Sequence, residues 1–309
     1  MRQPAPQSQD QNGTRTRQSI APDRNEDKEA VFSRLPGAIF RAALVVLLIA
    51  TPSILLPTAS ADGSQIVALM AIFGALFTLV EYSAASPSII EFRGAPPYNR
   101  LRFVTLFLTV LALSFILKQD FTQGSIGHLF YALGDRLGYS VDFPYSPVRL
   151  IVLMMPADTN ATVLHHLRTA AGIAYLVSLV SIATFVILLR MRRWPKRNGT
   201  FNVWVNLPTF DPTAGGDVVD RLNRDSQINL ILGFLLPFLL PAVVKMISAY
   251  VTPVNLDNPQ TLIWMVTAWA FLPASLLMRG VALNRVAQMI YKQRKRAYAK
   301  AVAEGFVAA

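Results

Sequence analysis

The sequence contains no cysteine, and only 15% of its 309 residues are charged. Without cysteine the chain can form no disulfide, thiolate metal site or iron–sulfur cluster, and it has no cysteine nucleophile. Its charged fraction is well below the value of about 25% found in soluble domains. Hydrophobic residues make up 53% of the chain, and the mean hydropathy is +0.39. This composition predicts an integral membrane protein.

The sequence also lacks the short motifs of common catalytic sites. GxSxG, HExxH, Walker A and nucleotide-binding patterns are all absent, so we predict no catalytic residue. Histidine is limited to His128, His165 and His166. The adjacent pair would point about 100° apart on a helix and could not easily ligate one metal ion. We therefore predict no metal site and no cofactor, and these histidines are weak candidates for binding one.

Six apolar stretches are long enough to cross a bilayer, for which a helix needs about 20 residues. They cover residues 37–57, 65–83, 101–117, 169–189, 228–250 and 261–279. A lone strand cannot satisfy its backbone hydrogen bonds in lipid, so each span is expected to be helical. The sequence predicts an all-α, six-helix membrane domain over residues 31–283.

Lysine and arginine are divided unevenly between the two sets of loops. If the N-terminus is cytoplasmic, all but five of the 29 bases lie in or next to cytoplasmic segments. The exceptions are Lys118, Arg136, Arg149, Arg168 and Lys245. The positive-inside rule then places both termini in the cytoplasm. We expect a multi-pass protein of a bacterial inner membrane that faces an anionic inner leaflet and binds no nucleic acid.

The segments that flank the membrane domain are polar. Residues 1–30 predict a disordered cytoplasmic tail, because they have almost no apolar residues to bury. Residues 284–309 predict a basic amphipathic cytoplasmic helix, which could bind the inner leaflet or a groove in a partner protein.

The third-to-fourth loop, residues 118–168, is the only large external segment. Its apolar residues recur at helical spacing and predict an amphipathic helix; they are Ile126, Leu129, Phe130, Leu133 and Leu137. The apolar run at 147–156 is too short to span and predicts an interfacial or re-entrant segment.

The fourth and fifth spans carry patterns that concern helix packing. The fourth has small residues at helical spacing, Ala170, Ala174, Ser178 and Ser181, which predict a close helix contact. In the fifth, Pro237 and Pro241 lie on one side, and each frees a carbonyl four residues earlier. This pair predicts a fixed kink or a broken helix that lines a transport pathway, with Lys245 near its outer end.

Residues 192–227 are predicted to be a cytoplasmic loop with a small extended, strand-like element. Apolar residues alternate at Phe201, Val203, Val205 and Leu207. A lone strand is unstable in water, so this one would need the 84–100 loop, the inner leaflet or another protein as its mate. The last alternative makes these residues and Trp204 a candidate docking site.

Together these features predict a scaffold, assembly factor or accessory subunit of a membrane complex, with a protein partner at the cytoplasmic loops. One alternative is a small-solute transporter or channel that uses the kinked fifth span. Another is a membrane enzyme that holds haem or a metal through the external histidines.

Overall fold

The computed structural model describes residues 24–57, 61–118, 125–191, 194, 201–211, 213, 215–248, 250 and 256–305, without the side chains of 24–32, 61, 62, 125 and 204. In these ranges every regular element is helical: α1 (Arg24–Leu55), α2 (Ala61–Ser83), α3 (Tyr98–Lys118), α4 (Ser125–Val141), α5 (Pro147–Leu153), α6 (Ala161–Met191), α7 (Val203–Asn206), α8 (Val218–Ile247) and α9 (Pro259–Ala303). Six of them (α1, α2, α3, α6, α8 and α9) are long and apolar enough to cross a membrane. The predicted all-α fold with six spans is confirmed.

The helices extend beyond the predicted spans at their polar ends. Helix α1 begins at Arg24, so residues 24–30 are helical rather than part of a tail, and residues 1–23 lie outside the described chain. Helix α8 begins at Val218 because the Asp217 carboxylate caps it, accepting the Val219 N–H at 2.6 Å. Hydropathy marks only the apolar part of a helix, whereas its capping residues decide where it starts.

The long helices alternate in direction and bury two apolar clusters, one at each end of the bundle. The first cluster joins α3, α5, α6 and α9, and includes Ile116, Ile151, Leu167 and Ile263. We call this the histidine end, because His165 lies there. The second cluster includes Tyr98, Phe185, Leu222 and Leu283. We call it the basic end; the described start of α1 and the end of α9 both lie on this side.

Small residues bring the helices close together. A Cβ atom on Gly233 of α8 would lie 2.8 Å from the carbonyl oxygen of Pro273 in α9. Close by, the Ser226 hydroxyl donates to the Gly280 carbonyl at 2.7 Å. The small residues of α6 are buried, and Ser178 donates to the carbonyl of Ala270 in α9 at 3.1 Å. The small-residue stripe therefore packs within the chain, as predicted for a close helix contact.

Between α3 and α6, at the histidine end, the chain forms two shorter helices, α4 and α5. Helix α4 packs on α6 so closely that a Cβ on Gly172 would lie 2.6 Å from the Cα of Gly138. Helix α5 follows, and the Lys245 ammonium of α8 donates to the Met155 carbonyl just after it, at 2.9 Å. The residues predicted to form a helical stripe lie in α4, but Ile126 and Leu129 are exposed. Glycines, rather than this stripe, make the closest contact with α6.

Candidate functional site at the basic end

The loop between α2 and α3 is held by two charged side chains. The Glu81 carboxylate is 4% exposed and accepts the backbone N–H groups of residues 88–90 at 3.1 Å. The Arg93 guanidinium donates to the carbonyls of residues 81, 84 and 85 at 2.6, 2.8 and 2.9 Å. Burial, and then the nearby charge of Arg34, lower the pKa of Arg93, which remains a cation at physiological pH. These bonds satisfy backbone groups that the end of a helix leaves unpaired.

A second loop, residues 201–211, lies on the first one, and Asn206 connects them. The Asn206 carbonyl accepts the Phe92 N–H at 2.6 Å, and its side-chain oxygen accepts the Gly94 N–H at 2.9 Å. Its amide nitrogen donates to the Asn202 carbonyl at 2.9 Å. Phe92 has a positive φ of 53°, which turns the chain so that both N–H groups reach Asn206.

The predicted strand-like element is wrong. Val203–Asn206 forms one helical turn, α7, and the Leu207 N–H donates to the Val203 carbonyl at 2.7 Å. The first loop offers two isolated N–H groups rather than the free edge of a strand. A turn places the backbone and the side chain of Asn206 against both groups, which an extended chain would not do.

The candidate docking residues are buried to different degrees. Leu207 is 0% exposed, and Phe201 and Val203 are partly buried against the same cluster. Val205 is also partly exposed, while the side chain of Trp204 lies outside the described residues. This segment contacts the 84–100 loop, which is one of its three predicted partners.

The Glu91 carboxylate connects both loops to α9. Arg279 donates to the two oxygens of Glu91 at 2.7 Å each, and the Thr209 hydroxyl donates to the same carboxylate at 2.9 Å. Such bidentate pairs fix orientation as well as distance. Sequence patterns did not identify this pair, because its two residues lie 188 positions apart.

Aromatic side chains fill the space beneath the loops. The ring of Phe92 lies 4.6 Å from that of Tyr98 and 5.5 Å from that of Trp194, measured between centroids. The indole N–H of Trp194 donates to the Ala95 carbonyl at 3.1 Å, and Arg285 of α9 donates to the Trp194 carbonyl at 3.2 Å. We call residues 84–97, 194 and 201–211 the cap; it is joined to α2, α3, α6 and α9.

Helix α9 continues past the cap. Residues 291–300 are all exposed, and we call residues 291–303 the α9 extension. Its bases are Lys292, Arg294, Lys295, Arg296 and Lys300, and it contains no acid. Arg294 pairs with Asp217 at 2.8 Å. The hydrogen bond from the Val219 N–H is the largest effect on the pKa of Asp217 and lowers it; desolvation opposes this effect, and the hydrogen bond and charge of Arg294 lower the pKa further.

The length of α9 exceeds the thickness of a membrane. Its 45 residues measure about 68 Å at 1.5 Å per residue, against about 40–45 Å for a bilayer with its headgroups. Arg294 contacts the residue that precedes α8, so residues 295–303 continue for about 14 Å beyond the start of that helix. The extension therefore projects from the bundle.

The proline pair of α8 is supported by α9. Pro241 has no N–H, so the carbonyl of Pro237 loses its helical donor. The indole N–H of Trp269 takes that place, donating to the Pro237 oxygen at 3.1 Å. Both prolines are buried, and Lys245 is bonded to Met155. These contacts use both prolines in packing against α9, and whether α8 lines a pathway stays a prediction. The signal in the sequence was an indole N–H deep in a span, which needs an acceptor.

The histidines lie at the opposite end. His165 Nε2 is 2.7 Å from the Tyr131 hydroxyl and 3.5 Å from Asp135; the His165 and His166 rings are 6.3 Å apart, and His128 is exposed. Across the described ranges no three His, Asp or Glu side chains are grouped as metal ligands. No protein-family model matches the chain, and no curated protein or solved structure matches it significantly.

Proposed function

We propose that this multi-pass membrane protein is a scaffold or accessory subunit that presents the α9 extension to an acidic partner protein. We also propose that it resides in a bacterial inner membrane with its basic end in the cytoplasm. The distribution of lysine and arginine supports that orientation, because cytoplasmic segments carry the excess of bases.

The α9 extension carries this proposal. A helix that is exposed on all sides gains no stability from burying an apolar face, and such helices occur where they bridge to another body. Its five bases, of which Arg294 and Lys300 already pair with acids outside the extension, favour a partner with a negative surface. Because α9 leaves the bundle without a break, the extension projects into the aqueous phase, which favours a protein partner over lipid headgroups.

The cap supports the same function. Glu91 and Trp194 connect the cap to Arg279 and Arg285 of α9, so the direction in which α9 leaves the bundle is fixed. A preorganised element loses less conformational freedom when it binds, which strengthens association. Transport is our second candidate function, because the carbonyl that the proline pair of α8 frees already accepts a hydrogen bond from Trp269.

The test is co-purification in a gentle detergent followed by mass spectrometry of the bound proteins. In the first variant Lys292, Lys295 and Arg296 are each replaced by Glu, which leaves the Arg294–Asp217 pair in place. We expect this variant to lose an acidic partner that the wild type retains, while it elutes as a folded, monodisperse protein.

The matched control is R136E, a charge reversal at an exposed position of the histidine end. This control should retain the partner. A wild type that purifies as a lone monomer would contradict the proposal, as would a triple variant that keeps every partner.

A further inference from the structure

Helix α4 packs on the ends of two membrane-spanning helices. Its Phe130 ring stacks on the Phe115 ring of α3, with 5.9 Å between the centroids. A Cβ atom on Gly134 would lie 2.9 Å from the Thr169 side chain of α6. Both α3 and α6 are long and apolar enough to cross a membrane, and Phe115 and Thr169 lie within their apolar stretches. The middle of α4 therefore lies at the depth where these two helices enter the membrane.

Away from these contacts, α4 has an apolar side and a polar side. Ile126, Leu129 and Leu133 are 58%, 57% and 46% exposed, and spacings of three and four residues place them on one side of the helix. We call these three residues the α4 stripe. His128 is exposed and Asp135 is partly exposed; His128 lies about 140° around the helix from Leu133. A helix with this pattern is suited to a boundary between lipid and water.

The loop after α4 has its charge inside and its apolar groups outside. Asp142, whose side chain is 6% exposed, accepts a hydrogen bond from Arg168 Nε at 2.6 Å. The neighbouring Phe143 and Tyr145 are 58% and 86% exposed. Tyr250, which follows the spanning helix α8, is 89% exposed, and tyrosine is enriched where a membrane meets water. This distribution suits lipid surroundings, in which an exposed charge is costly and an exposed apolar ring is not.

Depth, pattern and exposure together indicate what covers the α4 stripe. We propose that the stripe is embedded among lipid acyl chains in the leaflet at the histidine end, with His128 directed to the water. Interfacial amphipathic helices bury their apolar side by about 5–10 Å in this way, which matches the depth set by Thr169.

Two observations favour lipid over a second protein as the occupant. The stripe lies at membrane depth, where lipid is present around the whole bundle. In addition, Val180, in the middle of the spanning helix α6, is 56% exposed, so a residue that meets lipid has the same exposure as the stripe. Helix α4 thus anchors the histidine end in the membrane, independently of the α9 extension at the opposite end.

Spin labelling tests this proposal directly, because the chain has no cysteine and each introduced cysteine carries the only label. The full-length variants L133C, V180C and H128C are reconstituted into vesicles of phosphatidylethanolamine and phosphatidylglycerol. Electron paramagnetic resonance then measures collisions of the label with oxygen, which concentrates in lipid, and with a water-soluble nickel chelate. All three positions are exposed, so the label does not disturb packing.

The ratio of oxygen to nickel collisions at L133C should approach that at V180C. It should be several-fold higher than the ratio at H128C, the matched control on the polar side of the same helix. L129C provides an independent variant of the stripe and should give the same result as L133C.

Equal ratios at L133C and H128C would overturn the proposal, because both sides of α4 would then be in the same surroundings. If L133C and L129C exclude both reagents, another protein chain covers the stripe and the lipid assignment is wrong.

Discussion

The Arg279–Glu91 pair is expected to couple the cap to α9, and a double-mutant cycle can measure the coupling. The pair makes two hydrogen bonds of 2.7 Å, with side chains that are 28% and 10% exposed. A hydrogen bond to a charged group contributes about 1.5–3 kcal/mol, and partial exposure reduces that value. We expect E91Q to lower the free energy of unfolding by about 2–3 kcal/mol.

The assay is thermal unfolding in detergent, followed by circular dichroism and tryptophan fluorescence, for E91Q, R279M and the double variant. E91Q should lower Tm by about 3–5 °C, given the usual relation between Tm and free energy in a chain of this size. The double variant should lose less unfolding free energy than the two single variants together, because each single change leaves a charge or a polar group without its partner.

The control for this cycle is E304Q, which removes an exposed pair between Lys300 and Glu304 at 3.5 Å. An exposed pair of this kind contributes at most about 1 kcal/mol, so Tm should hardly change. Strict additivity of E91Q and R279M would refute the coupling. A Tm for E91Q equal to that of the wild type would show that the cap does not depend on Glu91.

Three further changes test separate contacts. W269F removes the donor to the Pro237 carbonyl and should cost about 1–3 kcal/mol of unfolding free energy; unchanged thermal unfolding would show that the packing of α8 on α9 does not need the indole. G172A places a methyl group against the backbone of α4 and should cost about 1–3 kcal/mol, whereas G215A, with nothing within 4 Å, should be neutral on the same assay. Because the folded-state pKa of Asp217 is lowered, its stabilisation is present above the ordinary aspartate pKa and is lost as the pH falls through the lowered value. A pH titration of the helical signal should therefore show an acid-dependent loss that D217N lacks, and identical titration curves would contradict this role.

The membrane domain could be predicted from the sequence to a large extent. Each span is recognised from its own length and apolar composition, because transfer of a helix into lipid depends mainly on the residues of that helix. The α9 extension was also expected, since its bases follow the sixth span directly. Its unbroken continuation from that span is a property of the structure.

The cap could not be predicted from local patterns. The alternation at residues 201–207 has the period of a strand, but one turn of helix accommodates the same residues when Asn206 has two N–H groups to bind. Nothing within that segment indicates where those N–H groups lie. Their positions depend on the fold of residues 88–94, which depends in turn on Glu81 and Arg93.

The sequence by itself determined that this chain is a helical membrane protein with six spans, because apolar length is a local property. The tertiary structure alone decided which distant groups meet. Arg279 forms an ion pair with Glu91, which lies 188 positions away in the sequence. Trp269 donates to the Pro237 carbonyl, 32 positions away, and Asn206 accepts the N–H of Gly94, 112 positions away. Each contact satisfies a charge or a backbone group that its own segment leaves unpaired, and the required partner is supplied only when the helices pack.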